Sequence, residues 1–153
     1  MNKNDTVLIR PANTADVEAI FHIRTSVKEN HLSREQMADM GITPEIIKET
    51  IAAGQCAWLA EVDGRPVAFA MIDVEEGCVF AAFVLPEFEG RGLGSKLMAE
   101  AEAGLFSAHE SIWLETDGKS RAYRFYTRLG WNPVSTYENG DVRLEKKHPQ
   151  AGK

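Results

Sequence analysis

The stretch of this chain best suited to chemistry is Glu89-Gly90-Arg91-Gly92-Leu93-Gly94-Ser95-Lys96, with glycine at three alternate positions. It lies between a β-type run ended by Pro86 and a segment with Leu93, Leu97, Ala101 and Leu105 at helical spacing. A strand that passes its chain through such a loop into a helix leaves the first N–H groups of the helix unpaired at the positive end of its dipole. That arrangement cradles phosphate. Glycines let an anion approach the backbone, and Arg91 and Lys96 add local positive charge. Two other phosphate loops do not fit: GxxxxGK[ST] is absent, and a dinucleotide loop would follow an early strand, with an acidic residue ~20 positions on. A glycine-rich helix start that holds no ligand is the remaining reading of the same residues.

The elements that must position this loop follow from period and punctuation. Residues 6–10 form a β-branched run stopped by Pro11, and Asn13 caps a helix with Val17, Ile20, Phe21 and Val27 at helical spacing, ending near Asn30 and His31. Ser33 and Gln36 make a capping box for a short helix to about Gly41, and Thr43-Pro44 opens another that Gly54 closes. Residues 56–62, 66–74 and 78–85 then read as an antiparallel meander turning at Asp63-Gly64 and at residues 75–77. After the glycine loop come a helix to about Phe106, a strand over 111–115, a helix over 120–129 and a hairpin over 133–145 around Asn139-Gly140. These elements make a single domain over residues 1–147 with a flexible tail over 148–153.

Composition narrows the function classes. The chain has 153 residues, 23 of them acidic against 17 Lys plus Arg, for a net charge of -6, which disfavours a sequence-independent grip on nucleic acid. Cys56 and Cys78 have neither CxxC spacing nor paired histidines, so reduced buried thiols are expected and no metal centre. The N-terminus lacks the apolar run of a signal peptide, and no stretch approaches the ~18 apolar residues of a membrane span, so a soluble cytoplasmic protein with no membrane partner is expected.

The residue 89–94 loop resembles the Gln/Arg-x-x-Gly-x-Gly/Ala signature of the GCN5-related N-acetyltransferase (GNAT) family, except that Glu89 stands at its first position. A second family pattern, Asn-x-x-Ala-x-x-x-Tyr-x-x-x-Gly-Phe, is matched at Ala122, Tyr126 and Gly130, with Lys119 in place of Asn and Trp131 as the aromatic. The order of elements agrees along nearly the whole chain. This resemblance implies an α+β GNAT fold: a mixed, mostly antiparallel sheet of six or seven strands, flanked by helices, in which the fourth and fifth strands splay apart. It also implies acetyl-CoA as co-substrate. Its pyrophosphate would lie on the amides of Arg91, Gly92, Leu93, Gly94, Ser95 and Lys96, and its pantetheine arm would pair with backbone groups of Phe83, Val84 and Leu85 as an extra strand.

The implied activity is N-acetyl transfer to a primary amine by direct attack on the thioester, with one N–H of the fourth strand at the oxygen where negative charge builds. A departing thiolate has pKa ~8.5, and Tyr126, a phenol of ordinary pKa ~10, is the candidate acid that reprotonates it. Tyr126 also falls on an apolar stripe with Ala122, Phe125 and Leu129, where a tyrosine is commonly a core residue with its hydroxyl paired. No carboxylate occurs in residues 78–83, so the base is either an acidic residue bordering the acceptor side (Glu29, Asp73, Glu75, Glu76), His31, or ordered water. By the same resemblance the acceptor pocket uses Glu29, Asn30 and His31, with Leu32, Arg34, Trp58 and the terminal hairpin. The mixed polar character of residues 29–31 favours a small polar amine. Members of the family pair through sheet edges or C-terminal strands, and residues 131–144 are the segment a homodimer would use here. A protein that binds acetyl-CoA without catalysis, as a sensor or interaction module, would need the same cradle.

Overall fold

The computed structural model describes residues 6–28 and 31–149. A seven-stranded sheet in the order β1-β2-β3-β4-β5-β7-β6 forms its centre. The strands are β1 (Val7–Pro11), β2 (Ala57–Val62), β3 (Arg65–Asp73), β4 (Cys78–Val84), β5 (Ser111–Asp117), β6 (Asn132–Thr136) and β7 (Asp141–Lys147). Every neighbouring pair is antiparallel except β4 with β5, as a mostly antiparallel α+β sheet requires. Residues 67–72 of β3 are all buried, so both faces of the sheet centre are covered. Helix α4 (Leu93–Phe106) covers one face, where Gly104 lets it close on Trp58 and Ile72: a Cβ there would come 3.0 Å from the indole of Trp58. Helices α1 (Val17–Ser26), α2 (Arg34–Asp39) and α3 (Pro44–Ala53) lie between β1 and β2 in the chain, and α5 (Arg121–Arg128) packs beside β5.

The anticipated caps form. Ser33 and Gln36 close a reciprocal capping box on α2, and the Thr43 hydroxyl accepts from Ile46 N–H at the start of α3. Asn13 instead caps a 3-10 turn at Thr14–Asp16 that leads into α1. Asp16 is the anchor of that turn: it accepts from Asn13 N–H at 2.8 Å and takes a two-pronged hydrogen bond from Arg10, both contacts at 2.8 Å. Helix α1 ends at Ser26, short of the expected Asn30 and His31, and Val27 is extended. The hydroxyls of Thr25 and Ser26 donate back to the carbonyls of Phe21 and His22, a competition that weakens the last turn of a helix. Val27 therefore leaves the helical stripe. Just past β7, His148 donates its N–H to Glu110 O, and its ring meets Phe106 edge-on at 5.1 Å. Both cysteines are reduced and buried, and among the described residues no helix is long and apolar enough to cross a membrane.

Between β4 and β5 the sheet comes apart. The two strands pair at one position, Cys78 opposite Trp113. Immediately beyond it the β3–β4 register shifts: Ile72 faces Val79 while Met71 faces Ala81, so Phe80 is an extra residue in β4. Such a bulge bends its strand and increases the local twist. The bend begins where the pairing with β5 stops, and the rest of β4 diverges.

Candidate active site

The gap opens into a cleft of about 500 Å³ walled by Ala82, Phe83 and Val84 of β4, Gly92, Leu93, Gly94 and Ser95 at the start of α4, and Ala122, Phe125 and Tyr126 of α5. Register decides which backbone groups of β4 face it. Leu85 donates its N–H to Val67 O at 2.8 Å, toward β3. Opposed residues of an antiparallel pair alternate between bonded and non-bonded, so Phe83, opposite Phe69, also directs its backbone toward β3, and Val84 and Ala82 direct theirs into the gap. Of the three residues expected to pair with an extended ligand, Val84 has its backbone groups available, Ala82 joins it, and Phe83 contributes its ring. The assignment of Leu85 is corrected: its N–H is occupied by the sheet.

The loop before α4 is built as its glycines require. Gly92 is the N-cap residue at φ 80°, a left-handed conformation that side chains resist. Gly94 lies against Phe125, whose ring would be 3.2 Å from an added Cβ. Among the described residues nothing accepts a hydrogen bond from the N–H groups of Leu93, Gly94 or Ser95, which point out of the first helical turn. Lys96 is corrected: its N–H already donates to Gly92 O at 3.2 Å, inside the helix. Arg91, expected to offer its main-chain amide, stands outside the cleft lining, and its guanidinium donates to Glu87 O and stacks over Phe88 at 4.7 Å. Glu89 does line the cleft, with Arg121 at 3.2 Å from its carboxylate. Lys119, by contrast, turns its N–H to Asp117 and stands outside the lining.

Tyr126 reaches the cleft because of the motif around it. Ser120 caps α5 by accepting from Tyr123 N–H, and Gly130, at φ 97°, turns the chain so that Trp131 N–H donates back to Tyr126 O at 3.1 Å. The buried Trp131 ring then packs edge-on against Tyr126 at 6.4 Å, with Phe125 at 5.3 Å. No described residue shares a hydrogen bond with the Tyr126 hydroxyl, unlike an ordinary core tyrosine. Burial pushes this phenol from 10.0 up to about 12, so it is protonated at any physiological pH.

A second cavity, of about 210 Å³, adjoins the first across Phe69 and Phe83 on the α1 side of the sheet. Ile20, Phe21, Met37, Met40 and Phe80 line it together with Leu32, and so does Arg24. The expected acceptor residues are placed as follows. Glu29 and Asn30 lie outside the described residues. His31 is exposed, with Nδ1 3.0 Å from Val27 O, and lines neither cavity. Leu32 is in place, Arg34 is paired with Glu18, and Trp58 is core. Asp73, Glu75 and Glu76 sit at the closed end of β4, away from both cavities, which leaves Glu89 as the one carboxylate among the described lining residues. Arg24 carried no sequence signal: a lone arginine near the end of an amphipathic helix reads as solvated.

Comparison with known proteins agrees with this geometry. A family model for the acetyltransferase (GNAT) domain matches residues 53–133. The chain is 34% identical over 79 residues to an uncharacterized N-acetyltransferase of Archaeoglobus fulgidus, a match covering 44% of this chain and 54% of that protein. It is 28% identical over 107 residues to one of Methanocaldococcus jannaschii, covering 63% and 69% respectively. The chain thus spans about half the length of the first of these relatives. Among solved structures, the PaiA N-acetyltransferase of Thermoplasma acidophilum, in complex with coenzyme A, superimposes with a TM-score of 0.76 at 18% identity, over 94% of this chain and 99% of that one.

Proposed function

The chain belongs to the acetyltransferase (GNAT) family, and we propose that it transfers an acetyl group from acetyl-CoA to a primary amine, with Tyr126 as general acid. The residues present fit the co-substrate: an N–H-lined helix start kept open by Gly92 and Gly94, then a strand edge with unpaired backbone groups, both on one cleft of about 500 Å³. Acetyl-CoA, when bound, supplies an activated acyl group and a thiolate that can leave.

What the chain itself does follows from its groups. The N–H groups of residues 93–95 hold the diphosphate. The outward backbone groups of Ala82 and Val84 hold the extended arm by strand addition. An outward N–H of this strand, placed at the thioester oxygen, would contribute ~3 kcal/mol to the transition state by meeting the charge that builds there. The amine nitrogen forms its bond to the carbonyl carbon, the carbon–sulfur bond breaks, and the electron pair leaves on sulfur. Tyr126 gives its proton to that sulfur. Its raised pKa does not bar the transfer, because the burial that disfavours phenolate disfavours thiolate in the same cleft. The amine loses its proton to water, since no carboxylate among the described residues faces the acceptor side.

The observation that carries this reading is the Tyr126 hydroxyl, without a partner among the described residues, on the wall of a cleft that the splayed strand and the helix start share. Its test is thiol release: free CoA should appear when acetyl-CoA and an amine are present together and not with either alone. Binding of CoA without release under any amine would make the protein an acetyl-CoA sensor instead.

A further inference from the structure

Arg24, the half-buried cation of the second cavity, has no counterion among the described residues. No described residue accepts a hydrogen bond from Arg24, and its Nη1 is out of reach of solvent without a partner. The guanidinium lies over the Phe83 ring, 4.1 Å from its centroid. That stacking offsets part of the cost of burial but satisfies none of the in-plane N–H donors, of which a guanidinium has five. The other described side chains lining the cavity are all apolar. Burial accordingly holds the guanidinium below its ordinary value.

We propose that this cavity takes the acceptor and that Arg24 binds its carboxylate, so that the substrate is an amino-carboxylic acid with an apolar body rather than the small polar amine that residues 29–31 suggested. The proposal rests on acetyl transfer in the adjoining cleft. Three observations set the class of ligand. A planar fork of donors matches a carboxylate edge to edge. A dianionic phosphate would call for a second cation or a helix start, and the described lining holds neither. The apolar walls suit an aliphatic or aromatic body, and Phe69 and Phe83, shared by both cavities, lead the amine end toward the thioester. A neutral or merely cationic amine would leave Arg24 unpaired and would itself be repelled by it.

The test is a paired panel on the full chain with saturating acetyl-CoA, following thiol release from leucine, methionine and phenylalanine and from their decarboxylated counterparts isoamylamine, 3-(methylthio)propylamine and phenethylamine. In the wild type kcat/KM for the acids should exceed that for the amines by about 10- to 100-fold, the range for hydrogen bonds to a charged group. In Arg24→Met the KM for the acids should rise by a similar factor with kcat nearly kept, and the ratio of acid to amine should approach unity. Arg24→Lys should keep part of the preference, because it keeps the charge and loses the fork. The rise in melting temperature that CoA produces should be equal in all three proteins and reports both folding and the cofactor cleft. Release without an acid preference, or a preference that survives Arg24→Met, overturns this assignment and leaves acetyl transfer standing. If no amine releases thiol while CoA still binds, acetyl transfer falls. Titration of the CoA-loaded protein with N-acetylleucine and N-acetylisoamylamine then decides the cavity by itself, and equal binding of the two overturns the proposal.

Discussion

Replacing Tyr126 by Phe separates catalysis from packing more cleanly here than a tyrosine substitution usually does. The ring contacts to Phe125 at 5.3 Å and to Trp131 at 6.4 Å survive the change. The hydroxyl has no described partner, so its removal orphans no buried group, and the change in stability should stay within ~0.5 kcal/mol. Affinity for CoA, which the proposed function places on main-chain groups of α4 and β4, should also hold. Turnover should fall about 10- to 1000-fold, the usual contribution of a positioned general acid and about 1.4 to 4 kcal/mol of activation free energy. The assay is steady-state thiol release between pH 6 and pH 9, with CoA titration and thermal melting run on the same preparations. Across that range the wild-type phenol stays protonated, because burial raises it to about 12, so any basic limb in the rate profile belongs to another group. Full turnover in Tyr126→Phe at every pH refutes the acid role, and a parallel loss of CoA affinity refutes the division between main-chain binding and side-chain chemistry.

The same burial predicts an alkaline effect on stability. A folded-state pKa raised from 10.0 to about 12 favours the protonated form in the fold, so the contribution is whole below pH 10 and is lost as pH climbs to 12, up to ~3 kcal/mol in all. Urea unfolding from pH 9 to 12 should show that loss in the wild type and a shallower one in Tyr126→Phe. Gly92→Ala imposes a side chain at φ 80°, which costs ~1 kcal/mol or more. It should weaken CoA binding about 5- to 10-fold by turning the amides of residues 93–95 away, a shift that calorimetric titration with CoA would measure. Asp16→Asn exchanges a carboxylate bound twice by Arg10 for an amide and should cost about 2 kcal/mol at pH 7 by urea titration. Arg10 holds the Asp16 carboxyl below its usual 3.8, so the stabilisation is present above that pH and is lost as pH falls through the lower folded value. The gap between wild type and variant should narrow in strong acid.

What the sequence displayed and what it concealed divide along a physical line. Features set by neighbours in the chain were legible: the Ser33/Gln36 box, the Asn139-Gly140 hairpin, the Asp63-Gly64 turn and the glycine start of α4 all form as their residue types require. The end of α1 was missed by a few residues because apolar spacing continues through Val27, whereas the helix depends on backbone bonds that Thr25 and Ser26 take for themselves. Leu85 and Lys96 were assigned to the cofactor by position in a motif, but a free N–H is a matter of hydrogen-bond register, and residue type carries no register. Arg24 was invisible for a related reason. Nothing in its spacing distinguishes it from Arg10 or Arg34, and those two met carboxylates in the fold while Arg24 met a phenylalanine ring.

The bulge at Phe80 ties these findings together. Up to Cys78, β4 is an ordinary inner strand with a partner on each side. One extra residue bends it, and from Ala81 onward it keeps β3 and gives up β5. An inner strand stripped of one partner at the centre of a sheet has what an edge strand has, unpaired N–H and C=O groups, without the exposure that makes true edges prone to aggregation, since α1 and α4 pack on it and α5 walls the cleft beside it. Because side chains and backbone groups each alternate along that bent segment, Val84 and Ala82 turn their main chain to the cleft while Phe83 sets its ring in the wall shared with the neighbouring cavity, against Arg24. On the function proposed above, the cofactor arm and the acceptor fall to successive residues of one strand, the proximity that attack of an amine on a thioester demands.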